Sequence, residues 1–261
     1  MLNRVTLYLT VFTVIVCTTG AALAAPSIHF TQYRFFFNEK NKSDAFVIFN
    51  NGDEAANCKL SLNHFNIDEQ GELVKVKSAD EVPNAANNII KFSPRNVTVR
   101  PNTSQKVKIV ARGLSRVNEG EYVSYLNMLC KSVRQNKPGI FKLNAAVAYN
   151  IPMIVRKGKF NAETSLVSAK LVNHANQATL RVVQSRKGNR SLYGDIKVYE
   201  EKTDEVIGFL TGASIYTPAQ KKIWNIPLTK PLNSKKIRIE YKENKQFGGS
   251  LEANKTFKLA K

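Results

Sequence analysis

Residues 140–158 read IFKLNAAVAYNIPMIVRKG. Phe141, Leu143, Ala145, Val147, Tyr149, Ile151, Met153 and Val155 are all apolar and share one parity. A period of two places them along one face of a long β-strand. The other parity mixes Lys142, Asn144 and Asn150 with Ala146 and Ala148, a composition suited to a wet or half-covered face. Pro152 falls inside the run, and a proline cannot donate to a ladder, so the strand is expected at a sheet edge. A long edge strand with an apolar face invites aggregation unless it has a use, and the expected use is to join another protein's sheet. The competing reading is that this face simply fills its own domain's core, as one face of any sandwich strand does. On the pattern alone both readings stand.

Upstream of this segment the chain reads as short apolar runs separated by turn residues. Strands are expected over 28–37, 44–49, 57–66, 89–92, 96–99, 104–111 and 121–131. Between them lie turn sequences such as Asn50-Asn51-Gly52-Asp53, Pro101-Asn102 and Asn136-Lys137-Pro138-Gly139. Lys157-Gly158-Lys159 reads as a hinge. A second series follows over 166–172, 177–184, 193–200, 206–210, 223–226, 236–241 and 256–259. No sustained 3.6-residue pattern competes with it. The expectation is an all-β chain of two immunoglobulin-like β-sandwich domains, 25–157 and 158–261. Trp224, the single tryptophan, is expected to pack in the second core.

Residues 1–24 read as a cleaved signal peptide. Arg4 is the only charge, Val5–Val16 is the apolar stretch, and Ala22-Leu23-Ala24 is a small-residue cleavage site. No later segment has 18 uninterrupted apolar residues, so no membrane insertion is expected. The formal net charge is +19. Lysines and arginines are spread along the chain without a block of five or six, which argues against a nucleic-acid partner and for solubility and the steering of acidic partners. Cys17 leaves with the leader. Cys58 and Cys130 remain, and two cysteines in an oxidising compartment are expected to form one disulfide, with two buried free thiols as the alternative.

Catalytic and cofactor signatures are missing. His29, His64 and His174 are scattered and in no metal-ligand spacing. There is no nucleophile elbow, phosphate loop or dinucleotide fingerprint. Carboxylate pairs such as Glu200-Glu201 sit in polar runs and read as solvated. The expectation is a non-enzyme without cofactor or metal. Five N-x-[ST] sequons, from Asn41, Asn96, Asn102, Asn189 and Asn254, read as coincidence in an asparagine-rich chain.

Several motifs, in order, resemble the periplasmic chaperones of the chaperone–usher pathway for pilus assembly. Tyr33-Arg34, then an apolar pair and Asn50, resemble the family's first two strands. Phe92-Ser93-Pro94-Arg95 with Val97-Thr98-Val99, Pro101 and Ser104-Gln105-Lys106-Val107-Lys108 are similar to its "P-x-x-V-x-L-x-P-x-x-x-Q-x-V-R" stretch. Gly120-Glu121-Tyr122 resembles its "G-E-Y-R" strand, and residues 151–158 resemble the "I-P-V-I-V-R-x-G" ending of its first domain, in the archaic or alternative branch. The resemblance implies two sandwiches in a boomerang arrangement and a periplasmic location. The implied partners are pilus or fimbrial subunits, held by donor-strand complementation, and an outer-membrane usher; self-association of the free protein is a further possibility. It places Phe141, Leu143, Ala145 and Val147 on the donor positions. Typical members also grip the subunit's terminal carboxylate with an arginine and a lysine. Arg34 matches the arginine, but the lysine position falls on Pro152, and Arg95, Lys106 and Lys108 are the substitute cations. The alternative from a different class is a secreted structural or adhesive β-sandwich protein.

Overall fold

The computed structural model describes residues 26–68, 70–133, 146–174 and 177–259. The leader and the donor candidates Phe141, Leu143 and Ala145 lie outside these residues. Among the described residues every regular element is a strand except three single-turn 3-10 helices. None is a helix long and apolar enough to cross a membrane.

The first ten strands are β1 (Ile28–Phe30), β2 (Phe35–Phe37), β3 (Ser43–Asn50), β4 (Ala56–Ile67), β5 (Leu73–Val76), β6 (Ile90–Ser93), β7 (Asn96–Val99), β8 (Thr103–Ala111), β9 (Gly120–Ser132) and β10 (Ala146–Lys157). One sheet has the order β1-β3-β8-β6. The facing sheet has the order β2-β10-β9-β4-β5, with β7 also on β4. Alternation builds the core between them. On β8, Val107, Ile109 and Ala111 point inward while Lys106 and Lys108 are exposed. Phe35 and Phe46 meet edge to face in that core at 5.5 Å between ring centroids. Asn50 is buried at the end of β3, where its amide donates to the carbonyls of Glu54 and Val99 and its Oδ1 accepts from Gly52 N. One side chain thus closes the 50–54 turn and ties it to β7.

The run expected as one strand over 28–37 is two. Ile28–Phe30 pairs antiparallel with β3 in the first sheet, and Phe35–Phe37 pairs parallel with β10 in the second. The chain crosses from sheet to sheet between them. The buried parity flips across the hand-over, from Ile28 and Phe30 to Phe35 and Phe37, but the run 35–37 is all phenylalanine, so the sequence does not show the flip. β5 escapes the sequence reading for the opposite reason: Leu73 and Val74 are both exposed, so no alternation marks it.

Gly158 follows β10 with φ of +93°, in the left-handed region that glycine tolerates, at the expected hinge. Beyond it come β11 (Ala162–His174), β12 (Gln177–Gly188), β13 (Leu192–Glu200), β14 (Glu205–Ile215), β15 (Lys221–Pro227), β16 (Lys236–Glu243) and β17 (Glu252–Lys258). A sheet β11-β12-β15 faces a sheet β14-β13-β16-β17. Between them lies a separate core that includes Leu180, Val182, Ile196, Val198, Ile239 and Tyr241. Trp224 packs against this core and donates its indole N–H to Gln184 at 2.9 Å.

Cys58 and Cys130 are bonded. They are directly opposite one another on β4 and β9, within one sheet, and both are buried. The bridge spans 72 residues of sequence, so it removes a large loop's worth of freedom from the unfolded chain. Replacing both cysteines by alanine is expected to cost about 4 kcal/mol in urea unfolding. An unchanged unfolding free energy would refute that role.

Candidate functional site

β10 pairs antiparallel with β9 along its whole length, from Ala146 to Lys157. Its other edge is covered by β2 only at Met153, Ile154 and Val155. Among the described residues no strand covers that edge from Ala146 to Pro152. Pro152, which has no N–H to offer, therefore falls on an open edge. The remaining backbone groups of that stretch form a row that another strand could pair with.

The inward row of β10 divides into three parts. Ile151, Met153 and Val155 are buried in the first core. Tyr149 is half-buried against it, its ring 4.8 Å from Phe30 and its hydroxyl donating to the Ile28 carbonyl at 3.4 Å. Tyr149 thereby closes the rim between the two sheets. Val147, opposite Cys130 in register, is half-buried and stands outside the packed core. The apolar row thus leaves its own core at residue 147, while in sequence it runs on through Ala145, Leu143 and Phe141.

The outward row carries a polar bracket. Asn150 Oδ1 accepts from the amides of Asn63 on β4 and Asn127 on β9, at 2.9 and 3.1 Å. These bonds tie three strands together beside the open edge and help fix its register.

Arg34 sits where the open edge ends, immediately before Phe35, the partner of Met153. It is only 6% exposed. Nη2 donates to Tyr216 Oη at 2.7 Å and to Ser214 Oγ at 2.9 Å, both in the second sandwich. The guanidinium lies 3.8 Å from the centroid of Tyr193. Nε and Nη1 are buried without a hydrogen-bond partner, and no carboxylate of the described residues pairs with the group. The rings of Tyr193, Tyr216 and Phe247 lie around the guanidinium and compensate its charge in part.

The other three cations are placed elsewhere. Arg95 is exposed in the turn between β6 and β7, 5.5 Å from the Phe92 ring. Lys106 and Lys108 are exposed on the solvent face of β8, in the sheet across the core from β10. They belong to the outward parity of a strand whose inward parity fills the core, and so do not join Arg34.

Two charges with no role in the sequence reading organise the junction. Glu121 of β9 and Arg156 of β10 form a buried pair at 2.7 Å. The Glu121 carboxylate also accepts from Ser191 N at 2.9 Å, from the Ser191 hydroxyl and from Thr217 Oγ1. Arg156 donates to the carbonyls of Ser191 and Gly248. Both residues come from the first sandwich and all these partners from the second. At the far end of the junction Lys222 pairs with Glu72 and donates to the Gly71 carbonyl, while Ile67 packs against the second core. The available signal for Glu121 and Arg156 was a charge set in an otherwise apolar strand. Glu200, expected to be solvated, is 2% exposed, because Asn233 N and Thr203 Oγ1 satisfy its carboxylate. Glu201 is exposed as expected. Among the described residues no group of His, Cys, Asp and Glu could hold a metal.

Beside the junction, Arg190 and Glu243 form a bidentate buried pair, at 2.7 and 2.8 Å. Burial alone would push the Glu243 carboxyl up. The Arg190 guanidinium and the N–H groups of Leu251 and Ser250 outweigh that and hold it below its usual value of 4.5. A carboxyl depressed in the folded state contributes its full stability above the unfolded pKa and loses it as pH falls through the folded one. Urea unfolding between pH 6 and 3 should therefore show wild-type stability falling more steeply than that of Glu243→Gln. Parallel curves would remove Glu243 from the acid limb.

No protein-family model matches the chain, and no curated protein matches it in sequence. Among solved structures, it is similar to the YadV chaperone, at 15% identity and a TM-score of 0.47 over 88% of this chain and 99% of that one. It is also similar to a chain of the CsuC–CsuE chaperone–tip adhesin pre-assembly complex from archaic chaperone-usher Csu pili of Acinetobacter baumannii, at 9% identity and 0.48 over 90% and 100%. A third is a chain of the Salmonella enterica SafA pilin–SafB chaperone complex, at 14% and 0.49 over 88% and 96%. At such identities the site has to be read from its own residues.

Proposed function

We propose that this chain is a periplasmic chaperone of pilus or fimbrial subunits. It completes an unfinished sandwich by lending the exposed edge of β10, and it delivers the subunit to an outer-membrane usher. The observation that carries this reading is the open edge at Ala146–Pro152, coupled to an apolar row that leaves its own core at Val147. The ordered motifs resembling this family support it. The leader at 1–24 and the two cysteines support an extracytoplasmic location.

A sandwich that lacks a strand exposes an apolar groove and unpaired backbone groups, and an added strand supplies both what the ladder needs and what the groove needs. Phe141, Leu143 and Val147 would each contribute about 1.5–3 kcal/mol on burial, with less from Ala145. Association and ordering offset much of that sum, so the strand alone gives modest affinity. Modest affinity suits a donor that must later release its guest, and no nucleotide is needed.

Arg34 sets the direction of the guest. β2 runs parallel to β10, and the open edge lies on the same line just before it. A guest strand parallel to β10 would end at Arg34 with its terminal carboxylate. An antiparallel guest would bring its terminal ammonium to the same cation. Nε and Nη1, on different sides of the guanidinium, each remain able to give one charge-assisted bond to a carboxylate.

Co-expression with a pilus subunit encoded beside this chain tests the donor edge. Leu143→Glu and Val147→Glu should leave the circular dichroism and the unfolding midpoint of the free protein unchanged and abolish the complex. If either variant misfolds on its own, the row belongs to this protein's own core, and the secreted structural reading gains. A peptide copying the subunit's last strand tests the anchor. It should bind about tenfold more tightly as the free acid than as the C-terminal amide, since a charge-assisted bond contributes roughly 1.5–3 kcal/mol. Arg34→Gln should erase that difference. Equal affinities of acid and amide for the wild-type protein would exclude Arg34 as the carboxylate site.

A further inference from the structure

The outer face of the sheet β1-β3-β8-β6 carries charge of one sign. Its outward residues include Lys91 on β6 and Lys106 and Lys108 on β8, all exposed. In register, Lys108 has Ala45 on one side and Ser93 on the other, Lys106 has Val47, and Lys91 has Val110. These neighbours are short, so the three ammonium groups stand clear of the sheet. Asp44 is the only carboxylate in the four strands. It belongs to the inward parity, opposite the buried Ile109, and accepts from Ala45 N. Among the described residues none of the three lysines forms an ion pair.

An apolar strip lies beside the lysines. Val47 and Val110 are half-buried on this outward face, and Phe49, two residues beyond Val47, is 38% exposed. A face of this make-up suits a flat anionic surface better than a single chain. Its four strands are paired side by side, so it is a platform and not an open backbone edge. Lysine is a point charge that imposes no bidentate geometry, so it serves an array of phosphates. Apolar side chains among the cations gain from the boundary between lipid headgroups and acyl chains, which a soluble polyanion does not supply. The formal net charge of +19 draws the molecule towards anions, and the distribution on this sheet selects the face that meets them.

We infer that the protein rests on anionic membranes through this face, with Lys91, Lys106 and Lys108 at the lipid phosphates and Phe49 in the interface. The inference is independent of the donor-strand reading. β10 lies in the sheet across the core, so a molecule held in this way keeps the open edge of that strand uncovered. The contact is adsorption to a surface and inserts no segment.

Vesicles of phosphatidylcholine with about 30 mol% phosphatidylglycerol are the probe, and vesicles of phosphatidylcholine alone the comparison. The protein, purified without its leader, should sediment with the first and not with the second, and about 0.5 M salt should release it. Each lysine at an anionic surface contributes about a fivefold factor, so Lys91→Glu, Lys106→Glu and Lys108→Glu together should lower partitioning about a hundredfold with the circular dichroism unchanged. Glutamine at the same three positions repeats the test, with a smaller loss, should the reversals disturb folding. The same reversal at Lys202, Lys236 and Lys245, exposed on the second sandwich, changes the net charge equally. It should cost less than about fivefold, because charges beyond a Debye length of the surface are screened. Phe49→Ala should weaken vesicle binding about threefold and leave binding to soluble polyglutamate unchanged. Equal losses from the two triple variants would overturn the face, and no sedimentation at low salt would overturn the membrane contact. Tighter binding to polyglutamate than to vesicles of equal charge would assign the face to an acidic protein instead.

Discussion

A strand's backbone groups need partners on both sides, and among the described residues β10 has them along its full length on one side only. Everything of interest in the first sandwich follows from that imbalance. β9 holds the strand in register, β2 covers Met153–Val155, and among the described residues the stretch from Ala146 to Pro152 is left with an open edge. Tyr149 closes the core at the same point, so the protein keeps its own interior sealed while the row beyond it is not needed there. An edge of this kind is normally blunted by charge or by a covering loop. Here the polar bracket of Asn63, Asn127 and Asn150 ties the outward face together.

The same strand carries the chain into the second sandwich, and charge fixes how the two meet. Arg156 is the next-to-last residue of β10 and is held by Glu121 from β9, and both reach across to Ser191. A buried pair of this type contributes little net stability compared with an apolar replacement. Removing one partner, in contrast, costs about 3–5 kcal/mol, because the other charge is then stranded. Its value is therefore geometric: it permits one docking of the sandwiches and penalises others. Arg34 is part of this junction through Tyr216 and Ser214, yet keeps two donors free. The end of the open edge and the contact between the sandwiches thus share one cation.

Much of the fold was legible because alternation is a local property. The parity of 147–155, the turn sequences, the glycine after β10 and the pair of cysteines all show in short windows or simple counts. The edge position of Pro152 followed from the chemistry of one residue. The hand-over of 28–37 between sheets was not legible, because residues 35–37 are all phenylalanine and hide the flip of buried parity from Ile28 and Phe30 to Phe35 and Phe37. β5 was not legible because it has no buried face to mark.

What the sequence determined by itself was the all-β character, the two-part division at Gly158, and the existence of an apolar strand face with a proline in it. These depend on residues close together along the chain. The tertiary structure alone decided where that face leaves its core, which cations stand together, and which carboxylates are buried. In sequence Arg34 matched the arginine position and Arg95, Lys106 and Lys108 stood as substitute cations; the fold set Arg34 against the second sandwich and left the other three in solvent. Glu121 and Arg156 gained their roles only from partners between 35 and 96 positions away. Burial and electrostatic compensation are sums over such neighbours, and no local pattern encodes them.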